Sequence, residues 1–165
     1  VKPAELAAWI VEGRADYRLI DLRTADEFAA YHIPTAENAR LTALTEYPLL
    51  RNEKIVLYSE GGIHSAQAWL LLRAQGYEGV YTVLGGLDGW KDEVLFPVLP
   101  ADAGPRDRAQ FERAAALAQF FGGQPRTEGS AAAEDPATAL PKLAAPAATG
   151  PAVPAAPRKK KKEGC

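Results

Sequence analysis

Residues Lys54 to Ser65 read KIVLYSEGGIHS, a buried-strand pattern that runs through a glycine turn into the start of a helix, with Ser59 where the strand ends. A strand, a turn and a helix in that order gather several backbone N–H groups around one point and add the positive end of the helix dipole. The resulting cradle, Ser59, Glu60, Gly61, Gly62, Ile63, His64 and Ser65, can hold an anion or activate a nucleophile. A serine hydroxyl is a weak nucleophile unless an adjacent base takes its proton. His64 shares the loop, but no third residue is evident to orient its imidazole as a serine–histidine hydrolase requires. Two other readings of Ser59 stay open. Its hydroxyl caps the loop and the following helix by bonding a backbone N–H, or the amides of residues 60 to 65 form a small-anion site without turnover.

The only cysteine, Cys165, is the last residue of the chain. Lys159 to Lys162 beside it favour the thiolate, and exposure favours exchange, metal capture or covalent attachment. The plainer reading is a terminal residue on a solvated tail. The Ala/Pro-rich stretch ending at Pro157 reads as a semi-rigid spacer, long enough for Cys165 to reach its own Ser59 loop or a partner's. Lipidation beside a polybasic run has a physical logic, but the ending EGC lacks the C-a-a-X arrangement. The run Arg158 to Lys162 keeps the tail solvated or attracts an acidic partner or a membrane surface.

His32 is the second histidine. A packed, hydrogen-bonded side chain is its expected state rather than an acid or base role. Asp21, Arg23 and Glu27 are expected to form an ion-pair network tying a strand end to the next helix, since charges there would be costly if buried and unpaired. No pattern calls for a metal or a cofactor.

The elements that must position these residues follow from periodicity. Pro3 to Glu12 sets Leu6, Trp9 and Ile10 on one side at helical spacing, with proline in the first turn and Gly13 as the stop. Tyr17 to Leu22 is an apolar run of strand length, and Thr24 is placed to cap the helix ADEFAAY. His32 to Asn38 reads as a loop marked by Pro34, and Leu41 to Leu50 as a short helix or helical turn limited by Pro48. Ile55 to Tyr58 is the strongest strand, and Ser65 to Ala74 the strongest helix, closed by Gly76. Val80 to Val83 is a further strand, followed by Gly85, Gly86 and a helix around LDGWKDEV. Short strands alternating with helices describe a small α/β domain with a mainly parallel sheet covered on both faces.

Asp107 to Phe121 is an amphipathic helix with Phe111, Ala114, Ala115, Ala118 and Phe121 on one face. It reads as an extra helix docked on the body, or as one whose Phe120 and Phe121 end receives another protein. All 14 aromatic residues fall within residues 1 to 121, so the ordered body should end near Gly123. Residues 1–100 are therefore assigned to one domain, 101–123 to an accessory helix and 124–165 to a disordered tail. The net charge of −2, with both signs interleaved through the body, gives no reason to expect nucleic-acid binding. No apolar run reaches the roughly 18 residues needed to span a bilayer. The chain as given is expected to be soluble, in a cytoplasm or periplasm of bacterial type, and a start at Val1 without any methionine fits a trimmed or processed precursor.

Several separated pieces resemble one family, the rhodanese-like sulfurtransferase domains, over about residues 1 to 98. They are Asp21 and Arg23, Glu27 and Phe28, His32 to Pro34 with Ala36 and Asn38, the loop Ser59 to Ser65, Gly76 and Tyr77, and Leu84, Gly85, Gly86 and Trp90. The resemblance implies a five-stranded parallel sheet wrapped by helices. It also implies a cysteine at the position of Ser59, which would accept a sulfane sulfur as a persulfide and pass it to a thiophilic acceptor, and an arginine at the position of His64. The six residues from Ser59 to His64 match the sulfurtransferase loop length, one shorter than that of the related dual-specificity phosphatases.

The chain departs from that pattern where the chemistry lies. A serine oxygen cannot carry a transferable persulfide sulfur. His64 lacks the fixed charge and bidentate fork of arginine, Glu60 brings a negative charge to the cradle, and Thr35 stands where glycine usually follows the HIP run. The expectation is a non-catalytic module for binding or assembly, with a protein partner and a small anion as candidate ligands. The competing expectation is a sulfurtransferase whose thiol is Cys165 or belongs to a partner.

Overall fold

The computed structural model describes residues 1–129 and 140–141. Four strands, β1 (Arg18–Asp21), β2 (Glu37–Asn38), β3 (Ile55–Tyr58) and β4 (Val80–Thr82), form one parallel sheet in the order β2-β1-β3-β4. Register is set by Ile20 opposite Leu57 on one side of β1 and opposite Glu37 on the other. Every residue of β3 is buried, as expected for a strand with neighbours on both edges and cover on both faces.

Alternation along β3 divides the core. Ile55 and Leu57 join Ile20 and Leu22 on the face covered by Ala68 and Leu72 of α3 (Ile63–Ala74) and by Leu44. Val56 and Tyr58 join Leu19 on the opposite face. There they meet Leu6 and Ala7 of α1 (Pro3–Val11), Leu87 and Trp90 of α4 (Gly86–Trp90), and Val94 and Leu95 of the single π-helical turn that follows it. The helix α2 (Ala25–Ala30) starts at a complete capping box, in which Thr24 Oγ accepts from Glu27 N and the Glu27 carboxylate accepts from Thr24 N.

The rhodanese-like α/β class expected from the sequence is the class observed, with a different strand count. Among the described residues the main sheet has four strands, not five. Beside β4 stands one residue, Val1, whose amine donates to Thr82 O at 2.8 Å and whose carbonyl accepts from Leu84 N at 2.9 Å. One residue makes both bonds of a ladder rung without extending into a strand. The loop expected over residues 32–38 contains β2, a two-residue edge strand with no apolar run to announce it. The 3₁₀ turn at Leu41–Ala43 is the helical turn read before Pro48.

The C-terminal helix α5 (Pro105–Phe120) is docked on the body. Phe121 is buried edge-on against Trp90 with ring centroids 5.1 Å apart, which leaves Phe120 alone exposed at that end. The described structure also continues past Gly123. A two-stranded parallel pair forms between β5 (Val98–Leu99) and β6 (Arg126–Thr127), and Leu140 packs against the same core as Phe121. These short segments lie where a linker was expected, because two-residue strands carry no readable period. The Ala/Pro segment beyond Pro141, the basic run and Cys165 lie outside the described residues.

Candidate functional site

In the order β2-β1-β3-β4 the chain first steps from β1 to one side and then crosses to the other, so the switch point lies between β1 and β3. A crevice opens there at the carboxyl ends of the strands, the usual place for a ligand in an open parallel sheet. Asp21 ends β1 and Ser59 follows β3, so the sequence-predicted loop sits at that crevice.

The loop is held from behind by the turn before α4. Ser59 O accepts from Leu87 N at 2.8 Å and Glu60 O from Asp88 N at 3.1 Å. Gly86 lies so close that a Cβ there would be 2.4 Å from both of those carbonyl oxygens. Because the carbonyls are tied back, the loop amides turn the other way. Gly62, with φ of 95°, then turns the chain into α3. No acceptor among the described residues meets the N–H groups of Glu60, Gly61, Gly62, Ile63 or His64, and together with the start of the 12-residue α3 they form the electropositive cradle.

Ser59 is 1% exposed. Its Oγ accepts from Ser65 N at 3.3 Å, and the buried Ser65 hydroxyl donates to Gly62 O at 2.7 Å. The structure therefore brings Ser59 together with Ser65 and the α3 amides. His64 is exposed in the first turn of α3, and no hydrogen bond joins it to Ser59. His32 is engaged with α2 instead: its Nδ1 donates to Phe28 O at 2.9 Å and its ring stacks on Phe28 at 3.9 Å.

A charge network underlies one side of the cradle. Arg23 donates to Asp21 through Nε and Nη2, to Tyr31 O at 2.6 Å, and to Glu60 at 3.2 Å. Burial alone would lower the Arg23 pKa, but its bonds to Asp21 outweigh that and raise it. Glu60 is gripped on its other oxygen by Lys91 at 2.8 Å, and Lys91 also reaches Asp88 at 3.4 Å. Burial pushes the Glu60 carboxyl up, while Lys91 and Arg23 outweigh it and hold the group below the usual range. Glu27 is absent from this network because the capping box occupies its carboxylate. Below the loop, Tyr58 accepts from Ile33 N at 3.1 Å, and burial followed by the Asp21 charge pushes its phenol up.

Sequence reasoning missed Lys91, Asp88 and the clamp by Gly86 and Leu87. The GG pair marked a turn, but no local signal ties it to a loop some 25 residues earlier. Among the described residues there is no group of three or more His, Cys, Asp or Glu side chains placed to hold a metal ion. None of their helices is long and apolar enough to cross a membrane.

The chain is similar in sequence and fold to known proteins. Residues 2–93 match the rhodanese-like domain family. The thiosulfate sulfurtransferase GlpE of Coxiella burnetii is 29% identical over 90 residues, which cover 53% of this chain and 84% of that protein. A tRNA uridine(34) hydroxylase of Delftia acidovorans is 31% identical over 99 residues, but the match covers only 38% of its length. Among solved structures, a rhodanese-like domain protein of Staphylococcus aureus superposes with a TM-score of 0.51 at 27% identity, covering 56% of this chain and 91% of that one. The fold, the loop at the β1/β3 switch point and the matched span agree: this chain belongs to the rhodanese-like domain family.

Proposed function

We propose that this chain is a rhodanese-like module that does not transfer sulfur through residue 59 and serves instead as a binding or accessory unit. The observation that carries the reading is Ser59 itself. An oxygen stands at the end of β3 where the resemblance calls for a thiol, and it is buried and engaged with Ser65 N. Sulfur transfer needs a persulfide that forms and breaks at one atom, which a hydroxyl oxygen does not supply. The backbone of the loop keeps the form of a cradle, with clamped carbonyls and free amides. That supports retention of the loop as a recognition element for a small anionic group, while a protein partner binds the folded surface, including the exposed Phe120 end of α5.

The test is thiosulfate sulfur transfer to cyanide by the full chain, by Cys165→Ser and by Ser59→Cys. The native chain and Cys165→Ser are expected to show no turnover above the uncatalysed rate. Ser59→Cys is expected to gain a turnover that stays weak while Glu60 is present, and adding His64→Arg should raise it by roughly tenfold by supplying a free charged donor for the oxyanion. Turnover by the native chain that disappears in Cys165→Ser would establish the competing reading, sulfur carried by the terminal thiol.

A further inference from the structure

Among the described residues two side-chain cations, Arg23 and Lys91, form ion pairs with the Ser59 loop, and both do so through one residue, Glu60. Arg23 Nη1 meets one Glu60 oxygen at 3.2 Å and Lys91 Nζ meets the other at 2.8 Å. Arg23 places Nε and Nη2 on Asp21 and Tyr31 O, and Lys91 has its second contact on Asp88. Asp88 in turn lies over the loop, since its Oδ2 would be 3.7 Å from a Cβ on Gly61. The network thus sets two cations against three carboxylates, Asp21, Glu60 and Asp88, a net charge of −1 beside a cradle of free amides.

From this arrangement we infer that Glu60 is the specificity-determining residue of the loop, a lock that holds Arg23 and Lys91 away from a ligand and rejects dianionic oxyanions. The inference rests on the reading of the loop as a binding element. Backbone amides supply partial positive charge, enough for a neutral polar or singly charged group, whereas a dianion such as thiosulfate or sulfate gains most from full counter-charges. Here those counter-charges are already neutralised. Glu60 is 48% exposed, and its place in the network depends on its two bonds rather than on burial in the core. Replacing it therefore leaves the fold in place and frees Lys91 on its flexible stem to reach the mouth of the loop.

Calorimetric titration of the full chain with thiosulfate at low ionic strength tests the inference. Native protein, Glu60→Gln, Glu60→Ala and Glu60→Gln/Lys91→Gln are compared, with near-ultraviolet circular dichroism to establish that each is folded. Removing one negative charge a few ångströms from a dianion should tighten binding at least ~10-fold in both single variants. The double variant should lose several-fold of that gain. Native affinity equal to that of both single variants would overturn the inference, as would a gain that survives Lys91→Gln undiminished. The readout is a ratio of affinities, so sulfur transfer by the native chain would refute the non-catalytic reading without touching this one.

Discussion

Arg23 meets Asp21 side-on, Nε to Oδ1 at 3.0 Å and Nη2 to Oδ2 at 2.6 Å, with both side chains 6% exposed or less. A pair this dry is costly to break from one side, because the survivor keeps its charge without its partner. It also links three elements, since Arg23 reaches the end of α2 through Tyr31 O and the loop after β3 through Glu60. Asp21→Asn and Arg23→Gln are each expected to lower unfolding free energy by about 3 kcal/mol. Urea titration measures both. The double variant should be less destabilised than the sum of the two, the signature of direct coupling. Additive effects would show that the two residues act independently.

A second prediction concerns alkaline pH. Trp90 Nε1 donates to the Tyr31 hydroxyl at 3.0 Å in the core, and burial pushes the Tyr31 phenol up to about 12. The unfolded chain releases that proton near 10. The neutral form is favoured by folding, so its contribution is fully present below pH 10 and is lost as pH rises from about 10 to 12. Part of the stability should therefore disappear across that window, and absorbance should show tyrosinate forming together with unfolding. In Tyr31→Phe the alkaline loss should be shallower, while stability at neutral pH falls by about 1 to 3 kcal/mol because the Trp90 N–H is left without an acceptor. An unchanged alkaline slope in Tyr31→Phe would assign the effect to other groups, Tyr58 first among them.

Thr35 is the only non-glycine residue with positive φ among those described, at 70°. It follows Pro34 in the HIP turn, where a β-branched side chain crowds the backbone. Thr35→Gly should therefore stabilise the protein by about 1 kcal/mol, the relief of strain exceeding the added freedom of the unfolded chain. A rise in thermal midpoint is the measurement, and Thr35→Ala should gain less than glycine does. A fall in midpoint with glycine would mean that the side chain contributes more than its backbone costs.

These cases show what the sequence could and could not carry. The span of β3, the capping role of Thr24 and the turn at Ser59 are local: a continuous apolar run, a hydroxyl three residues before Glu27, and paired glycines before a helical pattern. Asp21 and Arg23 were also legible as a pair, being two residues apart at a strand end. Glu27 was misassigned because it satisfies two patterns at once, and the capping box, which needs only its own turn, prevails over a bridge to Arg23. Lys91 was not legible as a partner of Glu60, since 31 residues separate them and only the sheet order brings α4 beside the loop. β2 and β6 escaped for the opposite reason: two residues of pairing depend on a neighbour's edge and need no pattern of their own.

The last prediction turns on Gly86, whose neighbours α4 and the Ser59 loop are separated by no side chain at all. Any Cβ at residue 86 would fall 2.4 Å from Ser59 O and Glu60 O and 3.0 Å from Gly62 N, and its φ of 59° is one that side chains disfavour. Those carbonyls are the ones tied back by Leu87 and Asp88, so a displaced α4 start would release them and let the loop amides turn from the cradle. Gly86→Ala should therefore damage the loop more than the rest of the domain. Relative to a Ser59→Cys background, adding Gly86→Ala should cut thiosulfate turnover at least ~100-fold, a loss comparable to that of an oxyanion donor. Hydrogen exchange should rise first at residues 60–66, while β1 and β3 keep their protection. Gly85→Ala provides the comparison, because its nearest contacts are to Gly89, within α4 itself, and do not touch the loop. If both substitutions reduced turnover equally, the close approach of Gly86 to the loop would not be what shapes the cradle, and strain at the start of α4 would account for the loss.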